Sequence, residues 1–138
     1  MVALDLIQPG DPSTLTGGYL YNRRLLEVLA ARGWRTTVHR LDTSFPTPTP
    51  AALEQACQVL AAIPAQRLVL VDGLALGGMP DLIERHAQRL HLLGLVHHPL
   101  ALETGLSAAT AAALQQAEHR ALAAVRGVIV TSRATARA

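Results

Sequence analysis

The chain has no lysine: all twelve of its basic residues are arginine, set against ten carboxylates and six histidines in 138 residues. With no ammonium groups to lose protons at about pH 10, a formal charge of only +2 coexists with an isoelectric point near 9.3. The high isoelectric point therefore reports guanidinium chemistry and not a basic surface. The arginines are scattered, and no Lys/Arg run with interleaved aromatics occurs. The electrostatic footprint of a nucleic-acid binder is missing, so no nucleic-acid partner is expected. Aromatics make up only 3% of the chain while half of it is hydrophobic, so the core must be aliphatic, and disorder is excluded. Cys57 is the single cysteine, which rules out an intrachain disulfide and a cysteine-based zinc site and suits a reducing cytoplasm. No apolar run reaches membrane-spanning length. The first apolar stretch contains Asp5 and has no basic flank, unlike a secretory leader. Peripheral contact with a membrane stays open.

What is present is a regular alternation of short apolar runs with helical patterns, within a length that fits one domain, residues 1–138. Val2 to Ile7 reads as a strand, followed by a loop from Gln8 to Gly17 rich in breakers. Gly18 to Arg32 reads as a helix with Tyr21, Leu25, Val28 and Leu29 inward and Gly33 as its stop. Arg35 to Leu41 reads as a second strand. The stiff Phe45 to Pro50 segment leads into a helix over Ala51 to Ile63, which Thr49 is suited to cap. Leu68 to Val71 is apolar on both faces, as expected inside a covered parallel sheet. A loop from Asp72 to Gly78 precedes a helix over Pro80 to Arg89, with His86 inward, and then a buried strand over Leu92 to Val96. Ser107 to Arg126 reads as the longest helix, with Leu114, Ala117, Ala121, Leu122 and Val125 inward and Gln115, Glu118 and His119 outward. Val128 to Val130 forms a last strand. Strand-helix alternation without an internal repeat predicts an α/β fold: a Rossmann-like doubly wound parallel sheet with helices on both faces, in three layers and with right-handed crossovers.

Such sheets bind ligands at the carboxyl ends of their strands, which gathers the polar candidates on one rim. Gly17 and Gly18 open the first helix, where unpaired N–H groups and absent side chains suit a diphosphate, and where two glycines also simply ease a turn. The loop lacks G-x-G-x-x-G, so a nicotinamide-type fingerprint is not met, and Asp42 alone imitates its ribose-binding acid only weakly. In His97-His98-Pro99 the proline favours extended backbone. The two imidazoles should then point to opposite sides, against joint metal chelation and in favour of one ring facing the cleft. Either histidine is equally well explained by local backbone partners. Asp72 suits a ligand hydroxyl or a cap on the turn into Gly73. Glu103 sits where a helix start stabilises any carboxylate, and Thr131, Ser132 and Arg133 leave the last strand, where Ser/Thr also commonly starts a helix. No Ser/His/Asp set, H-E-x-x-H or P-loop occurs, and no metal is required.

Taken in order, Gly17-Gly18-Tyr19, Val71-Asp72-Gly73, His97-His-Pro-Leu-Ala-Leu-Glu-Thr-Gly-Leu106 and Val128-Ile-Val-Thr-Ser-Arg133 resemble the N-terminal domain of group 1, family 4-like glycosyltransferases of the GT-B fold. The resemblance spans nearly the whole chain. It implies an acceptor-side half whose nucleotide-sugar donor is bound mainly by a C-terminal domain that carries a spaced glutamate pair, which neither Glu103 nor Glu118 supplies. By resemblance, Gly17 and Gly18 would donate N–H groups to the donor diphosphate, and His97 or His98 would be the catalytic contact to the transferred sugar. Thr131 and Ser132 would lie near the interdomain crevice. Configuration would be retained, no cofactor beyond the nucleotide-sugar substrate would be needed, and the 138 residues alone would be inactive, as a truncated half. The acceptor is left open. Two other readings stay open from the residues: a stand-alone nucleotide-binding or regulatory module on the same scaffold, and half of a dinucleotide-dependent enzyme.

Overall fold

A computed structural model describes residues 2–10, 17–98, 100 and 105–131. Five strands, β1 (Ala3–Pro9), β2 (Arg35–Leu41), β3 (Leu68–Asp72), β4 (His91–Val96) and β5 (Gly127–Val130), form one sheet in the order β2-β1-β3-β4-β5. Every pairing is parallel. Parallel neighbours need crossovers, and the helices between the strands supply them: α1 (Gly17–Ala31), α2 (Pro50–Ala62), α3 (Gly73–Leu76), α4 (Pro80–His86) and α5 (Ala108–Ala124). The expected α/β, Rossmann-like sheet is what the chain forms. The order runs outward from β1 in both directions, so the chain reverses its direction of travel between β1 and β3, and at such a switch point a crevice opens at the carboxyl ends.

Alternation along the strands divides the core into two unequal layers. Ile7, Val69, Val71 and Leu92 face one side and pack under Ala56 and Leu60 of α2, Leu76 of α3, Ile83 of α4 and Ala121 of α5. Leu4, Leu6, Leu70 and Leu95 face the other side under Leu25, Leu26 and Leu29 of α1. Each fully buried leucine or isoleucine contributes about 1.5–3 kcal/mol relative to an exposed one. Trp34 closes the lower end of the α1 layer. On β5 the side chains of Val128, Ile129 and Val130 remain exposed.

The helix ends follow the local chemistry. The Thr49 side chain accepts from Ala52 N, and the Ser107 side chain accepts from Thr110 N, each at 3.1 Å, so each satisfies a donor of a first helical turn. After α1, Gly33 adopts φ +85°, and Gly33 N donates to Ala30 O while Trp34 N donates to Leu29 O, both at 3.0 Å. This pair of bonds is the Schellman closure, and its left-handed residue explains the glycine.

Four sequence expectations are corrected. Tyr21 and Val28 are exposed, and the inner stripe of α1 runs through Asn22, Leu25, Leu26 and Leu29, rotated so that the Asn22 amide is buried on it. Glu118 is buried instead of outward, since it lies one turn from both Leu114 and Ala121. Gln8 belongs to β1, not to the following loop. The stretch read as a loop from Asp72 contains α3, whose first turn the Asp72 carboxylate caps through Leu74 N at 3.0 Å.

Candidate functional site

The α1-facing rows of the strands are leucines until they reach the carboxyl end, where they turn polar. Two residues past Leu6 comes Gln8, two past Leu70 comes Asp72, and two past Leu95 comes His97. Since side chains alternate along a strand, these three groups stand on the same side of the sheet as α1. Asn22 meets them from the inner stripe of α1, one turn above Leu25 and Leu26. Its Nδ2 donates to Gln8 Oε1 at 2.9 Å and to Asp72 Oδ2 at 3.0 Å, and its Oδ1 lies 2.9 Å from His97 Nε2. His97 Nε2 also lies 3.5 Å from Asp72 Oδ2. Asn22, Gln8 and Asp72 are all buried, so these bonds replace water that the folded chain excludes.

A cavity of about 230 Å³ opens over this layer, lined among the described residues by Gly18, Tyr19, Asp72, Gly73, Leu74, His97 and His98. The His97 ring rests against the start of α1: a Cβ on Gly18 would come within 3.2 Å of its Cδ2. Tyr21 meets the same ring edge-on, with centroids 5.3 Å apart. The hydroxyl of Tyr19 donates to Pro9 O and so ties the first turn of α1 to the end of β1. No acidic residue occupies the first turn of α1, so the positive end of its dipole is not offset from within the helix.

The structure brings Gly18, Asp72, His97 and His98 together at one cavity, and Gly17 is the first residue of the same helix. His97 is held in the polar layer, while His98 is exposed at the rim. Asp72 holds Asn22 and caps α3 at once, one oxygen to each. Thr131 follows β5 and is exposed. Glu103, Ser132 and Arg133 lie outside the described residues. Asp42 is an exposed turn residue: hydrogen bonds from the Ser44 hydroxyl and Ser44 N–H hold its carboxylate below the usual range. His86 is a buried core histidine, its pKa lowered by burial and by the Arg89 and Arg85 charges. Among the described residues no group of three or more His, Cys, Asp or Glu side chains could hold a metal ion, and no helix is long and apolar enough to cross a membrane.

Sequence reasoning missed Asn22, Gln8 and Glu118. Glu118 Oε2 accepts from Leu100 N at 3.3 Å and thereby ties Leu100 to α5. Burial raises its pKa, against the lowering effect of that bond and of His119 and His98. A signal for the first two existed in the sequence: extending the two-residue alternation of β1 and the helical stripe of α1 by one step puts a polar residue at the same level of each.

No protein-family model and no curated protein matches the chain. Among solved structures, it is similar to a crystal structure of a PytH variant, at 19% identity and a TM-score of 0.37, over 80% of this chain and 46% of the other. The chain thus spans about half the length of that protein.

Proposed function

We propose that the chain is the acceptor-side lobe of a GT-B glycosyltransferase, in which a nucleotide-sugar donor meets the first turn of α1 and the His97 ring. The observation that carries the proposal is the joining of Gly18, Asp72 and His97 around one cavity at the switch point between β1 and β3. Sugar transfer builds negative charge on the leaving diphosphate, and preorganised N–H donors at a helix start answer that charge where it develops. Gly17 and Gly18 are the residues for this role, His97 is the contact to the transferred sugar, and exposed His98 is a second rim contact. The cavity, at about 230 Å³, is smaller than the roughly 300–1,000 Å³ of sites that enclose a small molecule. That favours a donor shared with a second lobe, whose closure completes the site.

The test is a titration of the 138 residues with UDP- and GDP-sugars, followed by backbone amide shifts. Perturbations centred on Gly17, Gly18, Asp72 to Leu74, His97 and His98 are expected, with no sustained turnover. Robust transfer or donor hydrolysis by these residues alone would refute the shared-site proposal. The strand order also favours a second reading, a self-standing nucleotide-binding module, because sheets of this order take a mononucleotide at the same crevice. Free nucleotides binding as tightly as nucleotide-sugars would support that reading. A nicotinamide dinucleotide outcompeting both would point to a dehydrogenase half.

A further inference from the structure

We propose that the outer face of α1 is a self-association surface, on which a second copy of the chain seats its own α1 antiparallel. At 3.6 residues per turn, Leu20, Arg24, Glu27, Val28 and Ala31 fall within about 100° of arc on the side away from the sheet. All five are exposed. Leu20 and Val28 each leave 49% of their surface open, with Tyr21 beside them at 40%. Apolar side chains gathered on one strip of a surface helix, unlike single scattered ones, call for a partner. The sheet is not that partner, because it holds the opposite stripe of α1, through Leu25, Leu26 and Leu29.

Charge indicates what the partner is. Arg24 stands between Leu20 and Val28, one turn from each, and among the described residues its guanidinium has no ion pair or hydrogen bond. Glu27 is the only carboxylate on α1. Its Oε1 lies 3.7 Å from Arg23 Nε, which leaves Oε2 for a second guanidinium. Arg24 and Glu27 are centred on the same point of the helix as Leu20 and Ala31, midway between Leu25 and Leu26. Two antiparallel copies related by a twofold axis at that point set Arg24 against the partner's Glu27 and Leu20 against the partner's Ala31, in one register and each twice. A parallel pair would set arginine beside arginine, and an anionic lipid surface would repel the carboxylate that shares the strip. One helix pair is small beside the roughly 1,200–2,000 Å² of a stable interface, so the dimer forms only at high protein concentration. It does not rest on the glycosyltransferase reading.

Sedimentation equilibrium of the chain, from micromolar to near-millimolar concentration, tests it on wild type and on charge reversals of two exposed residues. Wild type should pass from monomer to dimer, and added salt should weaken the association. Arg24→Glu sets two carboxylates together and Glu27→Arg sets two guanidiniums together, so each should weaken the dimer roughly tenfold or more. The double variant R24E/E27R re-forms both pairs with the signs exchanged and should recover most of the loss. Both side chains are exposed, so the fold survives each change. A wild type that stays monomeric throughout overturns the proposal, as does a dimer that neither single reversal weakens or a double variant as weak as the single ones. A monomer that sediments with vesicles of anionic phospholipid also overturns it, and assigns the strip to a lipid surface.

Discussion

Asn22 and Asp72, fifty positions apart, are joined at 3.0 Å through Nδ2 and Oδ2, and this single bond fastens α1 to the carboxyl end of β3. Asn22→Ala removes it together with the bonds to Gln8 and His97. A buried carboxylate deprived of one donor costs about 1–3 kcal/mol. The urea midpoint should fall accordingly with the slope unchanged. A midpoint within error of wild type would mean that water or Gln8 replaces the amide at no cost.

Gly18→Ala separates site geometry from stability. In a helix, alanine is favoured over glycine by roughly 0.5–1 kcal/mol. The added Cβ, however, would stand 3.2 Å from His97 Cδ2, and the ring is already held by Asn22 and met edge-on by Tyr21. The ring must give by a few tenths of an ångström. Thermal stability is expected to stay within about 1 kcal/mol of wild type, while nucleotide-sugar affinity falls roughly tenfold, or about 1.4 kcal/mol. Calorimetric titration beside a melting curve measures both. Unchanged affinity would remove His97 and the first turn of α1 from the binding surface.

The places where sequence reading succeeded and failed share a physical cause. Leu68 to Val71 declares a covered strand because both of its faces are apolar, and Thr49, Ser107 and Gly33 declare helix ends through side-chain or backbone chemistry that needs no tertiary partner. Asn22 and Glu118 declare nothing of the kind. Their burial is made tolerable by Asp72 and Gln8 in one case and by Leu100 N in the other, and those partners are distant along the chain. The rim residues Gly18, Asp72 and His97 were legible from one rule, that parallel strands deliver their ends to a common edge. The strand order, and with it the switch point beneath the cavity, is a property of pairing that local pattern does not encode.

Asp5 should be one of the costlier polar positions. It is buried on β1, with His39 Nε2 at 2.6 Å and Arg67 Nη1 at 2.8 Å. Asp5→Ala strands both partners. Since Arg67 and His39 reach solvent in part, the loss should lie below the 3–5 kcal/mol typical of a broken fully buried pair, at roughly 2–3 kcal/mol. Chemical denaturation of D5A and R67A measures it. The double variant should lose less than the sum of the two, because the same bond is removed once.

His86 makes the protein acid-sensitive. Its Nδ1 lies 3.0 Å from Arg89 Nη2, and a guanidinium can only donate, so the ring is held neutral. Burial, then the Arg89 and Arg85 charges, lowers its pKa in the folded state. An unfolded chain binds the proton first, so stability from this group is present above the ordinary histidine value of 6.5 and is lost as pH falls from there toward the lowered folded value. Denaturation of wild type and His86→Leu at about pH 7.5 and 5 should show the acid loss reduced in the variant. An equal loss in both would assign the sensitivity to other histidines.

Glu118 acts with the opposite sign. Desolvation raises its pKa above 4.5 in the folded chain. Between the ordinary and the raised value the folded state holds the proton more often than the unfolded state does. Stability from this group is therefore greatest on the acid side and declines as pH rises through the raised pKa. Glu118→Gln keeps an oxygen for Leu100 N and removes the buried charge, so the variant should match or exceed wild type at neutral pH, and the difference between them should shrink on acidification. Melting curves across that range decide it. A variant less stable than wild type at neutral pH would mean that the charge itself, facing His98 and His119, stabilises the folded chain more than its desolvation costs.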